Sequence, residues 1–274
     1  MPDKPRRKGR PKNFYGKPAA TTIQSLDRAF DVLDALAANM GMTLTEIAKD
    51  LQQSPATMHR VLSTLEARNI VEIDLQTQTW HIGSMAFRLG SAFLRRSGVI
   101  ERSHPVMREL MEQTGETSNL GIDMNGRVMF ISQIETHETI RAFFPPGTIS
   151  PMHASGIGKA LLSQYSDQRI AEFLRSHALE CFTDKTISAA ADLQEDLLKS
   201  RQRGWAYDDE EKTTGMRCVA APILNLFGEA VAGISVSGPT LRMSEDKIDR
   251  IGTMVRDAAE RVSRSMGAPD IGAG

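Results

Sequence analysis

The stretch Thr43–Ile82, TLTEIAKDLQQSPATMHRVLSTLEARNIVEIDLQTQTWHI, reads as two short helices, a tight turn and a β-ribbon. Thr43 with Glu46 three residues on makes a capping box, in which each side chain satisfies the other's free backbone donor, so a helix starts there and runs to about Leu51. Gln52 and Gln53 make the turn. Ser54 followed by Pro55 is a second start, an N-cap oxygen ahead of a ring already set at a helical φ. Along that second helix Met58, Val61, Leu62 and Leu65 recur at i, i+3, i+4, i+7 and form one inward stripe. After Arg68, the apolar Ile70, Val71 and Ile73 pair with Thr79, Trp80 and Ile82 across the polar turn Asp74 to Gln78, a hairpin of wing size. Upstream, Leu26, Ala29, Phe30, Leu33 and Leu36 keep helical spacing from Ser25 to about Asn39 and supply a third helix to close the small core. Residues 23–83 thus predict a winged helix-turn-helix.

The opposite face of the second helix presents Ala56, Thr57, His59, Arg60, Ser63 and Thr64, next to the Ser54 cap. Small and hydrogen-bonding side chains near a helix N-terminus suit base edges in a major groove, and Arg60 can grip guanine bidentately or hold a phosphate. The bland alternative for this face alone is a solvated surface helix. Residues 1–18 add Lys4, Arg6, Arg7, Lys8, Arg10, Lys12 and Lys17 against one acid, Asp3, although the formal net charge of the whole 274-residue chain is only -1. Such a run predicts a disordered arm over residues 1–22. Its centre, Lys8-Gly9-Arg10-Pro11-Lys12, resembles the AT-hook, in which an extended Arg, here Arg10, lies in a narrow A·T-rich minor groove. Both features point to double-stranded DNA.

The rest of the chain has room for one further domain. The whole chain, 41% hydrophobic, has no apolar run near the ~20 residues that cross a bilayer. No secretory apolar core follows the basic start, so a cytoplasmic protein without a membrane partner is expected. Cys181 and Cys218 lack CxxC or Cys/His spacing, which predicts reduced thiols and no structural zinc site. Met85, Phe87, Leu89, Phe93 and Leu94 make residues 84–98 an apolar linker helix, a candidate dimerisation element. From about Val99 helices (Ile100 to Thr114, Gly158 to Leu162, Asp167 to His177, Asp192 to Arg203, Glu245 to Met266) alternate with strand-like runs. The strands are drawn at Ser118 to Met124, Val128 to Gln133, Thr139 to Phe143, Val219 to Leu224 and Ala230 to Ser237. The expected class is therefore α+β: the winged helix-turn-helix, a linker helix and an effector-binding domain over residues 99–267, mostly antiparallel sheet with helices, before a flexible end at 268–274.

The run Pro151-Met152-His153-Ala154-Ser155-Gly156-Ile157-Gly158-Lys159-Ala160 is followed by Asp208-Asp209-Glu210-Glu211, Gly215-Met216-Arg217-Cys218-Val219-Ala220 and Ile234-Ser235-Val236-Ser237-Gly238-Pro239. In that order these motifs resemble the effector domain of the isocitrate lyase regulator (IclR) family. Ser54 to Leu62, ahead of Trp80-His81-Ile82-Gly83, is similar to its DNA-binding domain. The resemblance covers about residues 23–267. It implies a transcriptional regulator that dimerises through the linker helix, forms a dimer of dimers, and binds an inverted-repeat operator under control of a small metabolite.

The glycine turn can also be read for itself. Gly156, Ile157 and Gly158 offer free backbone N–H groups at a helix start, which suits an anion. It is not a Walker A loop, because His153 stands where that loop has its first Gly and Ala160 follows Lys159, so no nucleotide cofactor is expected. Ser235 and Ser237, two apart in a strand, point to one face while Ile234 and Val236 point to the other. Family members that bind small oxo-acids use the glycine-turn backbone, an acid at the place of Asp208, a cysteine at the place of Cys218 and the two serines. The resemblance thus implies a carboxylate with a carbonyl, such as glyoxylate or pyruvate, with Met216 as an apolar wall. The expectation is a regulator that is not an enzyme and holds no metal; the alternatives to it are an aromatic or dicarboxylic acid as ligand, a metal held by His153, Asp208 and Cys218, and an enzyme with Cys218 as nucleophile and His153 as base.

Overall fold

The computed structural model of the protein describes residues 23–269, without the side chains of residues 93–97. The basic arm with Arg10, residues 270–274, and the side chains of Phe93 and Leu94 lie outside the described residues. The chain divides into two compact units, with the boundary between Phe93 and Leu94.

The first unit runs α1 (Gln24–Ala38), β1 (Met42–Thr43), α2 (Leu44–Asp50), α3 (Pro55–Glu66), β2 (Val71–Asp74) and β3 (Thr79–Ile82). The capping box forms: the Glu46 N–H donates to Thr43 Oγ1 at 3.3 Å and the Thr43 N–H donates to Glu46 Oε2 at 2.8 Å. Gln52 takes φ 51, the left-handed turn between α2 and α3, and Ser54 Oγ then accepts the Thr57 N–H at 3.2 Å. The wing pairs antiparallel in the register Val71↔Ile82 and Ile73↔Trp80, while Asp74 Oδ1 accepts the Gln76 N–H to shape its turn. β1 adds a third strand on β3 through Met42↔Trp80, which the sequence reading did not draw. Val32, Leu36, Ile47, Met58, Leu62, Val71 and Trp80 fill the core, with Val61 and Leu65 packed against it.

The inward face of α1 differs from the expected one. Val32, Ala35 and Leu36 are buried, whereas Leu26 and Phe30 are 52% and 63% exposed. The small core takes only the C-terminal half of this 15-residue helix, and the first two turns keep their apolar side chains outside it. α4 (Ser84–Ser97) follows, with Phe87 and Leu89 exposed.

The second unit runs α5 (Val99–Thr114), β4 (Thr117–Met124), β5 (Arg127–Ile134), β6 (Ile149–Pro151), α6 (Gly156–Leu162), α7 (Asp167–Ser176), α8 (Ala190–Arg203), β7 (Ala206–Asp209), β8 (Met216–Leu224), β9 (Ala230–Pro239) and α9 (Glu245–Ser265). Its six strands form one sheet in the order β6-β5-β4-β9-β8-β7, every neighbouring pair antiparallel. Each face carries its own core, as strand alternation requires. Val219, Ile234 and Val236 pack with Val106, Met107 and Leu110 of α5 and Ile251 and Val255 of α9. Ala206 and Ala220 pack on the other face with Ile157, Leu161, Phe173, Leu193 and Leu197 from α6, α7 and α8.

Thr139–Phe143 is not a strand. The edge beside β5 is taken by β6, through Val128↔Ser150, so the loop has no open edge to join. It is tied down by side chains instead: Arg242 Nη2 donates to the Ile140 carbonyl at 2.8 Å and Arg141 pairs with Glu135 at 2.7 Å. Neither β6 nor β7 is among the strands that the sequence pattern displays, and β7 carries Asp208.

Candidate functional site

On α3, Ser54, Ala56, His59, Arg60 and Thr64 are exposed and Thr57 and Ser63 half-buried, while Met58 and Leu62 are fully buried beneath them. The Thr64 hydroxyl donates to the Arg60 carbonyl at 2.7 Å, so its hydrogen is already committed. Residues 23–83 hold eight Asp and Glu against four Lys and Arg. Three of those four cations, Arg28, Arg60 and Arg68, line one groove of about 590 Å³ between α1 and α3, over a floor that includes Leu26, Val61 and Leu65. An otherwise acidic domain thus gathers three of its four cations around the groove between α1 and α3.

In the second unit the sheet register assembles a site from distant segments. Asp208 pairs with Cys218, Cys218 with Ser237 and Ser237 with Thr117, so one ladder row crosses β7, β8, β9 and β4. Cross-strand neighbours share a face, and this is the face on which α6 lies. The next row inward holds Ala220, Ser235 and Asn119. Asn119 is fixed by Gln133, whose Nε2 donates to Asn119 Oδ1 at 2.9 Å, and Asn119 Nδ2 in turn donates to Ser237 Oγ at 3.3 Å.

α6 approaches this row closely because two of its residues lack Cβ. A Cβ on Gly156 would stand 2.6 Å from Cys218 Sγ, and one on Gly158 only 2.2 Å from the Met152 carbonyl oxygen. Between the glycine turn and the row lies a cavity of about 30 Å³, lined by Gly156, Ile157, Asp208, Met216, Cys218 and Ser237 among the expected residues. Gly158 and Ser235 are not in its lining. The Gly158 N–H, read as a ligand donor, is instead directed at Ser155 Oγ at 3.4 Å, the N-cap of α6. Ser235 sits one row deeper, fully buried, its hydroxyl without a hydrogen-bond partner.

The charges around the cavity are unusual. Burial lifts the Asp208 carboxyl to about 6, against the pull of Lys159 and of the Glu211 N–H, which donates to Asp208 Oδ1 at 2.8 Å. Burial likewise lifts Glu211 to about 7, again opposed by Lys159. Lys159 has no exposed surface and lies 2.5 Å from Glu211 and 3.1 Å from Asp196. Burial disfavours its charge, yet Glu211 and Asp196 outweigh that and hold the ammonium above its ordinary range. One buried cation therefore serves two buried acids and the half-buried Asp196, which leaves Asp208 able to carry a proton near neutral pH.

Burial and the neighbouring Asp208 push the Cys218 thiol up to about 11, so it stays protonated and weakly nucleophilic. Burial pulls the His153 imidazole below its usual value, and its Nε2 lies 2.9 Å from the Glu180 carbonyl while its ring stacks on Phe182. His153 thus anchors the glycine turn to the loop that precedes α8. Among the described residues no group of three or more His, Cys, Asp or Glu is placed to hold a metal ion, and no helix is long and apolar enough to cross a membrane.

Comparison with known proteins accounts for both units. Residues 91–264 match the family described as bacterial transcriptional regulator IclR C-terminal, and residues 25–75 the IclR helix-turn-helix domain. The chain belongs to the IclR family of transcriptional regulators. It is 56% identical over 264 residues to the HTH-type transcriptional regulator BhcR of Paracoccus denitrificans, covering 95% of each chain. Among solved structures, the Thermotoga maritima IclR is similar at a TM-score of 0.75 and 28% identity, over 89% of this chain and 99% of that one. An IclR homolog complexed with 4-hydroxybenzoate, from Microbacterium hydrocarbonoxydans, shares the fold at a TM-score of 0.78 and 20% identity, over 88% and 98%. A ligand-responsive transcriptional regulator is therefore the function of this IclR chain.

Five lining residues are not among those the sequence singles out: Phe130, Phe144, Ser150, Lys212 and Thr213. Phe130 and Phe144 stack at 4.8 Å and close the apolar side of the cavity. Each stands in an ordinary apolar or polar run, and only the Lys212 position, four beyond Asp208, carried a local signal that could have been followed.

Proposed function

We propose that this IclR-family regulator senses a small 2-oxo acid, glyoxylate first and pyruvate second, in the cavity between the glycine turn and the Asp208–Cys218–Ser237 row. The observation that carries the reading is the cavity itself, about 30 Å³ of free space bounded by donors. That is room for about two water-sized centres, and so for a ligand of a handful of atoms. The N–H groups of Gly156 and Ile157, the Ser237 hydroxyl and a protonated Asp208 can donate to carboxylate and carbonyl oxygens, and Met216 supplies the apolar wall. Ser235 joins as the buried hydroxyl still in want of a partner. An aromatic acid is the second reading, favoured by the 4-hydroxybenzoate bound to the Microbacterium homolog. It would require the Phe130–Phe144 stack to open.

On the DNA side, Ser54, Ala56, Thr57, His59, Arg60, Ser63 and Thr64 read an inverted-repeat operator from α3, and Arg10 of the basic arm inserts into the minor groove. The exposed Phe87 and Leu89 of α4 give the contact for a homodimer, which pairs into a tetramer. The regulator acts in the cytoplasm, without catalysis or cofactor. Ligand binding shifts the population between two arrangements of the effector domain and so alters operator affinity.

Calorimetric titration of the purified protein with glyoxylate, pyruvate and 4-hydroxybenzoate tests the sensor. Saturable heat with the oxo-acids, lost in the Ser235→Ala, Ser237→Ala double variant, supports it. Heat with 4-hydroxybenzoate alone would transfer the assignment to aromatic acids.

A further inference from the structure

An anionic effector poses an electrostatic problem in this cavity. It must sit beside Asp208, which is buried and acidic, in a space largely withdrawn from water. Where Asp208 is ionised, a second negative charge there is costly unless a cation lies in reach. Lys159 cannot supply it, because its ammonium has no exposed surface and is engaged by Glu211 and Asp196. Arg217 cannot either: its guanidinium is held by Asp209 at 2.7 Å, by Glu245 at 3.4 Å and by the Met243 carbonyl at 2.9 Å.

Lys212 remains. It lines the cavity, it is half-buried, and no carboxylate lies within ion-pair distance of its ammonium among the described residues. Its Nζ rests 3.5 Å from the centroid of the Phe182 ring, whose orientation is set in turn by the stack on His153. A cation parked on an aromatic face at the edge of a cavity is partly desolvated and held by a contact that is weaker than an ion pair. It is thus free to exchange that contact for an arriving anion. Asp208 Oδ1 accepts the N–H of Glu211, the residue next to Lys212, at 2.8 Å, so the acid and the cation belong to one short segment.

We infer that the ammonium of Lys212 is the cation that receives the effector's carboxylate, making it the residue that selects monoanionic acids over uncharged carbonyl compounds. The inference rests on the cavity being the effector site. In it, Lys212 leaves the Phe182 face or tilts from it, the carboxylate lies between the ammonium and the glycine-turn N–H groups, and the carbonyl end faces Cys218 and Ser237. The flexible four-carbon stem and three donors of a lysine suit that reach.

Titration of the full-length protein with sodium glyoxylate and sodium pyruvate tests this with three variants, each checked for an unchanged thermal midpoint. Lys212→Met keeps the apolar stem on Phe182 and removes the charge; Lys212→Gln does the same with a polar tip, should the methionine variant fold poorly. Either is expected to raise Kd by about tenfold to a hundredfold, the usual loss of a hydrogen bond to a charged group. Lys212→Arg should restore most of the affinity. Neutral variants that bind like wild type would overturn the assignment while leaving the cavity as the effector site. Equal losses in the arginine and methionine variants would also overturn it, by showing that shape and not charge matters. Silence of the wild-type protein toward both acids would instead remove the sensor reading itself, and this inference with it.

Discussion

Ser54 at the head of α3 and Ser155 at the head of α6 do the same local job, each accepting the N–H three residues on, from Thr57 at 3.2 Å and from Gly158 at 3.4 Å. Beyond the cap the two helices part. α3 leaves Ala56, His59, Arg60 and Thr64 in solvent, while all seven residues of α6 are buried, Lys159 among them. On α3 the chemistry waits for a partner from outside, and its side chains are not asked to hold the fold. On α6 the same contacts position the cavity and close the core, so recognition and folding cannot be altered separately.

The sharpest way to break this contrast is Lys159→Met. Removing this buried cation leaves Glu211 and Asp196 uncompensated and should cost about 3–5 kcal/mol in urea unfolding at pH 8. The loss should shrink toward pH 5. Carboxyls lifted by the fold, Glu211 to about 7 and Asp208 to about 6, bind protons more tightly folded than unfolded, so acid relieves them and rising pH does not. A variant as stable as wild type at pH 8 would make α6 as tolerant as α3. Next comes Gly158→Ala, whose methyl meets the Met152 backbone and cannot push it aside cheaply; about 1–3 kcal/mol should be lost, visible as a lower thermal midpoint.

Arg60→Ala is the counterpart on α3. Operator affinity should fall by about 1–3 kcal/mol in a binding titration, with stability unchanged to within about 0.5 kcal/mol. A large drop in melting temperature would erase the contrast. Glyoxylate affinity should weaken as pH rises from 6, by up to about tenfold per pH unit, because an anion beside Asp208 favours the protonated carboxyl. Asp208→Asn should flatten that profile, and a steep profile in the variant would assign the proton elsewhere. The smallest effect is expected from Ser54→Ala, about 1 kcal/mol for a lost cap.

The same contrast explains what could be read along the chain. The Thr43–Glu46 box, the Ser54-Pro55 start and the wing are made by residues a few positions apart, and each is found where their spacing put it. Ile234 and Val236 do face one core and Ser235 and Ser237 the other side, since period-two alternation is local too. What failed was decided at a distance. Leu26 and Phe30 have impeccable helical spacing, but how much of α1 the core can cover depends on the size of α2 and α3. Thr139–Phe143 has a strand-like pattern, but β6 already fills the edge it needed. Phe144 and Ser150 enter the cavity only because the sheet brings their loop and strand to one end, which no window of sequence displays, whereas Lys212 stands only four residues beyond Asp208.

The ladder row Thr117–Ser237–Cys218–Asp208 has one more consequence. Each rung comes from a different strand, and neighbouring rungs are set about 4.8 Å apart by the backbone bonds between strands. The sheet side of the proposed effector site is thus a transect of four strands with no linear epitope, and no excised peptide will reproduce it. Because the ruler is backbone, a rung can be exchanged without moving the others, so a paralogue could acquire a new ligand one rung at a time on an unchanged frame.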